Sequence, residues 1–262
     1  MISKISSLTN NKIKELRKLK DKKYRNITET FLIEGVRFID EAMRQSAKIH
    51  CLIVEDEKLL EDLKEFKEYD QLQGIDILMV SSEIMKEMSQ TVSPQGMIAQ
   101  VGFPHLDPLT FKQDQGLWLY LDEIRDPGNL GTIIRTAHAF AVDGVILSKG
   151  CADPYQDKVL RSTMGSIFKT PLLIHQSIDF LTEQVEAGTS LYLADLENAQ
   201  QLPGIKPDAK SLVVIGSEAH GVSEAIRALP HHSVMIPMLG GAESLNAAVA
   251  AALVLYEFKG RG

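Results

Sequence analysis

Three segments in the second half of the chain carry the same punctuation: LDEIRDPGNLGTIIR at 121–135, VVIGSEAHGVSE at 213–224 and IPMLGGAESLN at 236–246. Each follows a short apolar run rich in Val, Ile, Leu or aromatic residues, and each opens a run with helical spacing. A strand that leads through a loop into a helix, and then into another strand, forms a parallel pair joined by a crossover. The strands expected are LWLYLDEI, GVILS, SLYLADL, SLVVIGS and SVMIPML. Helices are expected at NLGTIIRTAHAFA, YQDKVLRSTMGSI, SEAIRAL and LNAAVAAALVLYEF. This pattern restricts the second half to an α/β domain on a parallel sheet, whose strand-end loops gather where ligands bind.

The first half has weaker punctuation. After a Lys-rich opening helix, FLIEG, IHCLIVE, IDILMVS and GMIAQVGF read as strands, with helices at VRFIDEAMRQ and SEIMKEMSQ. These make a small α/β domain, assigned to residues 1–104. The Pro-containing stretch GFPHLDPLTFKQDQG marks the break, with a linker at 105–115 and the second domain at 116–262.

Charge sharpens the division. The chain carries a net charge of −7, yet up to Arg25 it has Lys4, Lys12, Lys14, Arg17, Lys18, Lys20, Lys22, Lys23 and Arg25 against Glu15 and Asp21. Such a stretch reads either as the solvated face of a helix with Ile13, Leu16 and Leu19 inward, or as a basic arm that follows phosphates. The opening MISKISSLTNNKIKELRK has no apolar core, and the longest nearly apolar run, Ala247 to Tyr256, is too short to span a bilayer. A cytoplasmic protein is therefore expected. Cys51 and Cys151 stand apart with no C-x-x-C or His cluster, which points to buried free thiols and to neither a disulfide framework nor a metal site. His231 and His232 are adjacent in an expected turn and read as surface residues.

The loops exclude several chemistries. No G-x-x-x-x-G-K-[ST] is present, and no G-x-G-x-x-G follows the first strand of either half. Ser244 lies outside G-x-S-x-G and has no His and acid in a hydrolase order. Its minimum role is to cap a helix beginning at Ser244 or Leu245.

Taken with their spacings, the three loops resemble the three motifs of the SpoU (TrmH-like) branch of the SPOUT methyltransferases. DPGNLGTIIRTA is similar to N-x-G-x-x-x-R through Asn129, Gly131 and Arg135. VIGSEAHGVS places Gly216, Glu218 and Gly221, and IPMLGGAESLNAAVA is similar to I-P-M-x-G-x-x-x-S-L-N-x-x-V-A. More loosely, FLIEGVRFIDEA and MSQTVSPQGMIAQV resemble the ribosomal-protein-like substrate-binding domain of the rRNA-directed members.

The resemblance implies transfer of a methyl group from S-adenosyl-L-methionine to a ribose 2′-hydroxyl of RNA, rRNA being favoured over tRNA. It also implies a deep trefoil knot around the third motif, a homodimer formed through the catalytic domain, and no metal. It places Asn129, Arg135, Glu218, Ser244 and Asn246 in catalysis, and Gly216, Gly221, Ile236, Met238 and Leu245 around the cofactor. A guanidinium stays charged in proteins, so Arg135 is expected to hold a phosphate and stabilise alkoxide charge, oriented by an ion pair with Glu218. A catalytically silent RNA-binding protein of the same fold is the alternative outside enzymes, and the missing glycine fingerprint disfavours a nicotinamide oxidoreductase.

Overall fold

The computed structural model describes residues 2–104, 115–241 and 244–259, which form two compact units. Nearly all of the expected linker, 105–114, lies outside the described residues.

The first unit opens with a strand, β1 (Ile2–Ile5), inside the basic stretch. It continues through α1 (Asn11–Lys18), α2 (Lys22–Thr28), β2 (Thr30–Glu34), α3 (Val36–Arg44), β3 (Ile49–Val54), α4 (Glu57–Lys64), β4 (Asp76–Val80), α5 (Ser82–Met88) and β5 (Met97–Gly102). The sheet order is β1-β4-β3-β5-β2, with β1, β4 and β3 parallel and β5 antiparallel to both its neighbours. Asn10 caps α1 by accepting from the amides of Lys12 and Ile13, at 2.9 and 3.4 Å. Ile13, Leu16 and Leu19 are buried in a cluster with Ile53, Leu78 and Met85, as the helical spacing requires.

That packing recruits part of the basic stretch. The Arg25 guanidinium is buried and donates to the carbonyls of Leu19 and Lys20, both at 2.8 Å, so it fastens the turn between α1 and α2. Lys20 donates to the carbonyls of Glu87 and Ser89, and Arg17 pairs with Glu87 at 3.2 Å. Lys14, Lys18 and Lys23 remain exposed. Lysine and arginine are thus divided by position: those beside the core act as staples, and the others form a solvated basic face.

The second unit holds β6 (Gly116–Leu121), α6 (Pro127–Ala139) and β7 (Gly144–Ser148), after which α7 (Asp157–Thr163) lies in the segment Tyr155–Phe168 that clusters with the first unit. The chain resumes with β8 (Leu172–Gln176), α8 (Ile178–Glu186), β9 (Ser190–Ala194), β10 (Gln200–Gln201), β11 (Lys210–Ile215), α9 (Glu224–Arg227), β12 (His232–Met235) and α10 (Ala247–Lys259). All seven strands are parallel, in the order β10-β12-β9-β11-β6-β7-β8. The unbroken apolar runs of β6 and β11 follow from burial on both faces. Trp118 and Tyr120 face a cluster with Leu181 of α8 and Ile226 of α9, so alternation turns Leu117, Leu119 and Leu121 to the opposite face.

Helix α10 packs along α6, and its Ala247, Ala248 and Ala251 are nearly or fully buried. Small side chains let two helix backbones approach closely, which accounts for the alanine-rich sequence. Val249, Leu253 and Tyr256, on another stripe, are 47%, 40% and 49% exposed. The helix begins at Ala247, later than the expected Ser244 or Leu245. Its cap is Asn246, whose Oδ1 accepts from the amides of Ala248 and Val249 at 2.9 and 3.3 Å. Ser244 is therefore released from capping. His232 begins β12 and stacks on Tyr192 at 5.2 Å, so it belongs to a strand and not to the expected turn.

Candidate active site

Because every strand of the second unit runs the same way, the segments following β6, β9, β11 and β12 emerge at one edge of the sheet. After β6, buried Asp122 accepts from the amide of Ser223 at 2.8 Å, tying this segment to the one after β11. Asp126 caps α6, accepting from the Asn129 amide at 2.8 Å, and Pro127 takes the first helical position, where no amide is needed. Asn129 therefore stands in the first turn of a rigid helix, anchored by buried Leu130, Ile133 and Ile134. Burial of each such side chain is worth about 1.5–3 kcal/mol.

After β11 the backbone folds back on itself. Ser217 and Gly221 exchange two backbone hydrogen bonds, of 3.0 and 2.8 Å, and Gly221 adopts a φ of +66°. This return brings Gly221 so close to Gly216 that a Cβ on Gly216 would sit 2.1 Å from the Gly221 carbonyl carbon. Glycine at 216 is thus a packing requirement of the loop. The turn leaves Glu218 exposed at its tip.

The three loops meet through a directed chain of side-chain amides. Asn246 uses its Oδ1 on the amides of α10, so its Nδ2 must point outward, and it donates to Asn129 Oδ1 at 2.9 Å. The Asn129 Nδ2 in turn donates to Glu218 Oε1. The cap of α10 thereby fixes which way both amides face, and Glu218 receives a donor from α6. The expected ion pair between Glu218 and Arg135 is absent: the carboxylate is taken by Asn129. Arg135 is exposed two turns along α6, with no ion-pair partner among the described residues. The amide is the nearer donor to the carboxylate because Asn129 lies at the mouth of the helix.

Beside this chain lies a cleft of about 280 Å³. Gly216, Gly221, Ile236, Met238 and Leu245 all line it, as do Glu218 and Ser244. Asn129, Asn246 and Arg135 are outside its lining; Asn129 and, through it, Asn246 adjoin the cleft by way of Glu218. The lining is largely backbone and apolar side chain, with polar groups restricted to a few positions, which suits a small molecule having an apolar body and polar ends.

The cleft also includes residues that the motifs do not contain: Ala194, Asp195 and Leu196 at the end of β9, and Arg227 at the end of α9. Asp195 and Arg227 form an ion pair at 3.0 Å, their side chains only 12% and 27% exposed. The signal that could have found them was present in the strand-like run SLYLADL, whose last residues fall at the same sheet edge as the three glycine loops. Burial raises the Cys151 thiol above its ordinary range, and the thiol donates to the Leu121 carbonyl at 3.2 Å beneath this edge, which makes it structural.

Comparison with known proteins agrees with this geometry. Residues 116–256 match the SpoU rRNA Methylase family, and residues 10–99 match the MRM3-like substrate binding domain. The chain is 34% identical over 260 residues to the 23S rRNA (guanosine(2553)-2′-O)-methyltransferase RlmP of Bacillus subtilis, covering 99% of this chain and 100% of the relative. It is 31% identical over 236 residues to the 23S rRNA (uridine(2479)-2′-O)-methyltransferase of Streptomyces viridochromogenes, covering 87% and 81%. The AdoMet-bound rRNA methyltransferase of Sinorhizobium meliloti superposes with a TM-score of 0.86 at 29% identity, over 98% of this chain and 97% of that one. Three strand-end loops joined by one chain of side-chain amides beside a cleft, and a family match over residues 116–256, lead to one conclusion: the chain belongs to the SpoU rRNA methylase family of S-adenosylmethionine-dependent RNA methyltransferases.

Proposed function

We propose that this protein methylates a ribose 2′-hydroxyl in large-subunit rRNA, and that the amide chain Asn246–Asn129–Glu218 at the mouth of the cleft is the centre of that activity. The observation carrying this reading is the convergence of three loops, from distant parts of the sequence, on one set of oriented polar groups beside a small-molecule cleft. Relatives acting on a guanosine and on a uridine share the family, so the reading concerns the sugar and leaves the base open.

The cleft fits S-adenosylmethionine by its own chemistry. Its lining at Gly216, Gly221, Ile236, Met238 and Leu245 offers backbone groups and apolar surface for an adenosine, with carboxylate and hydroxyl groups at a few points. When bound, the cofactor supplies a methyl group activated on a sulfonium. Ser244, free of capping duty, and Asn246 position the methyl donor and the ribose. Asn129 and Glu218 hold the acceptor side rigid. Arg135, exposed and unpaired among the described residues, is free to meet RNA. It binds the phosphate beside the target ribose and stabilises negative charge growing on the 2′-oxygen, while the proton leaves to that phosphate or to water. Alignment of the two reactants supplies the rest of the acceleration.

The exposed lysines of α1 and α2 supply sequence-independent affinity for RNA, which a chain of net negative charge can have where its cations are concentrated. The apolar stripe Val249, Leu253 and Tyr256 on α10 suits a second copy of the chain, and we place a homodimer interface there. The third motif, between β12 and α10, is the segment that the family's knot would thread. Two buried free thiols accord with a reducing, cytoplasmic setting.

The test is transfer of label from S-adenosylmethionine to unmodified 23S rRNA and, separately, to tRNA, by the wild type and Arg135→Ala. One position in 23S rRNA that becomes resistant to alkaline cleavage, and is lost in the variant, is the expected result. Label in tRNA alone would sink the rRNA reading; no label in either RNA despite cofactor binding would move the substrate to an assembled ribosomal precursor, and no cofactor binding at all would favour the catalytically silent RNA-binding role.

A further inference from the structure

We infer that Asp195 recognises the ribose diol of the adenosine part of the cofactor, with Arg227 as the residue that positions its carboxylate. This inference rests on the methyl-donor reading of the cleft and adds an interaction outside the three motifs. Asp195 directly follows β9 and is a lining residue of the cleft, with its side chain 12% exposed. A carboxylate offers about four lone-pair sites. Here Oδ2 faces Arg227 at 3.0 Å and Oδ1 accepts from the Leu196 amide at 2.7 Å, which leaves acceptor capacity for two further donors. A ribose 2′,3′-diol presents two hydroxyl donors, and an acidic side chain at the end of a parallel strand is a recurrent way to read one.

Strand order sets which part of a ligand lies there. β11 separates β9 from β6, so Asp195 emerges about two strand spacings, roughly 10 Å, from the segment that carries Asn129. The reacting end must lie toward Asn129 and Arg135, which leaves the nucleoside end toward β9 and β12, where Ile236 and Met238 follow. Charge argues for a neutral donor. Asp195 is already matched by a guanidinium, so the pair has little left to offer the ammonium or sulfonium of the cofactor and retains its value for hydroxyl groups.

Arg227 is held for this task from three sides. Its Nε donates to the Val222 carbonyl at 3.1 Å, one nitrogen meets Asp195, and the other lies 3.5 Å from exposed Glu197. The guanidinium therefore ties the loop after β11 to the end of β9.

The experiment is calorimetric titration of S-adenosylhomocysteine and its 2′,3′-dideoxyribose counterpart into wild type, Asp195→Asn, Asp195→Ala and Arg227→Met. Wild type is expected to prefer the diol by about 10–100-fold, the range for hydrogen bonds to a charged group. Asp195→Ala should lose that preference by binding S-adenosylhomocysteine more weakly with little change for the dideoxy ligand, and Asp195→Asn should retain part of it. Arg227→Met should reduce the ratio. Equal weakening of both ligands in the Asp195 variants would mean a structural role and overturn the inference, as would a wild type that does not discriminate. A wild type that binds neither ligand would overturn the methyl-donor reading on which the inference stands.

Discussion

The two sheets of this molecule are built from similar short strands but differ in direction, and the difference decides how visible function is in each. In the seven-stranded sheet every strand is parallel, so the segments after β6, β9, β11 and β12 collect at one edge, where the last three line a cleft and the first adjoins it through Asn129 and Glu218. In the five-stranded sheet β5 runs against β3 and β2, which divides the connecting segments between the two edges. The first produces a site as a consequence of topology. The second produces a surface, on which the exposed Lys14, Lys18 and Lys23 are carried by helices α1 and α2.

The comparison can be broken most severely at Arg135. Arg135→Ala should lower turnover about 10²–10³-fold, the usual range for removing one electrostatic stabiliser, and leave S-adenosylhomocysteine affinity within about twofold. Arg135→Lys should recover little of it, because a point charge does not reproduce the planar fork. Near-normal turnover by the lysine variant at neutral pH would remove the phosphate-clamp role.

Gly216→Ala should come next, since its Cβ would collide with backbone at Gly221. The expected cost is about 1–3 kcal/mol in unfolding free energy, with cofactor affinity falling as the loop shifts. Thermal unfolding beside titration would separate the two effects, and an unchanged melting temperature would show that the loop can yield. Asn246→Asp is more selective. It retains the acceptor that caps α10 but replaces the donor facing Asn129, so activity should fall about tenfold with melting changed little. Equal activity would show that the amide chain has no part in alignment.

On the surface of the first unit the effects should be graded. Replacing Lys14, Lys18 and Lys23 with Gln should reduce the salt dependence of RNA binding by about 0.7–0.9 in logarithmic slope for each RNA phosphate that is no longer neutralised. Arg25→Met should behave differently, lowering stability by about 1–3 kcal/mol with no change in slope, because that guanidinium is spent on the carbonyls of Leu19 and Lys20. The smallest signal should come from the thiols. Burial pushes Cys51 up to about 11 and raises Cys151, so thiolate is scarce at pH 8 and the folded protein should resist maleimide until it unfolds.

Much of this was readable in the amino acids. Period-two and apolar runs located β2, β3, β4, β5, β7, β9 and β11 within about two residues, and β6 with its end three residues too late, because strands buried between layers require unbroken apolar side chains. The strands and helices β1, α2, α4, β8, α8 and β10 were not distinguished: they are short, or their apolar residues are too few to define a period. The residues gathered at the cleft mouth were legible where glycine marks a tight backbone turn, as at 216 and 221.

What the sequence by itself determined is the parallel α/β class, the three loops and the small-residue face of α10, all of which follow from local periodicity and turn chemistry. Tertiary structure alone decided the partners. Glu218 pairs with Asn129 and not Arg135, Asn246 replaces Ser244 as the cap, Arg25 leaves the basic surface for the interior, and Asp195 joins the cleft through Arg227. The pairings of Glu218 and Asp195 join groups 89 and 32 residues apart along the chain, which strand order sets and no local pattern encodes, whereas Arg25 and Asn246 act on carbonyls and amides within six residues once packing has fixed their turns.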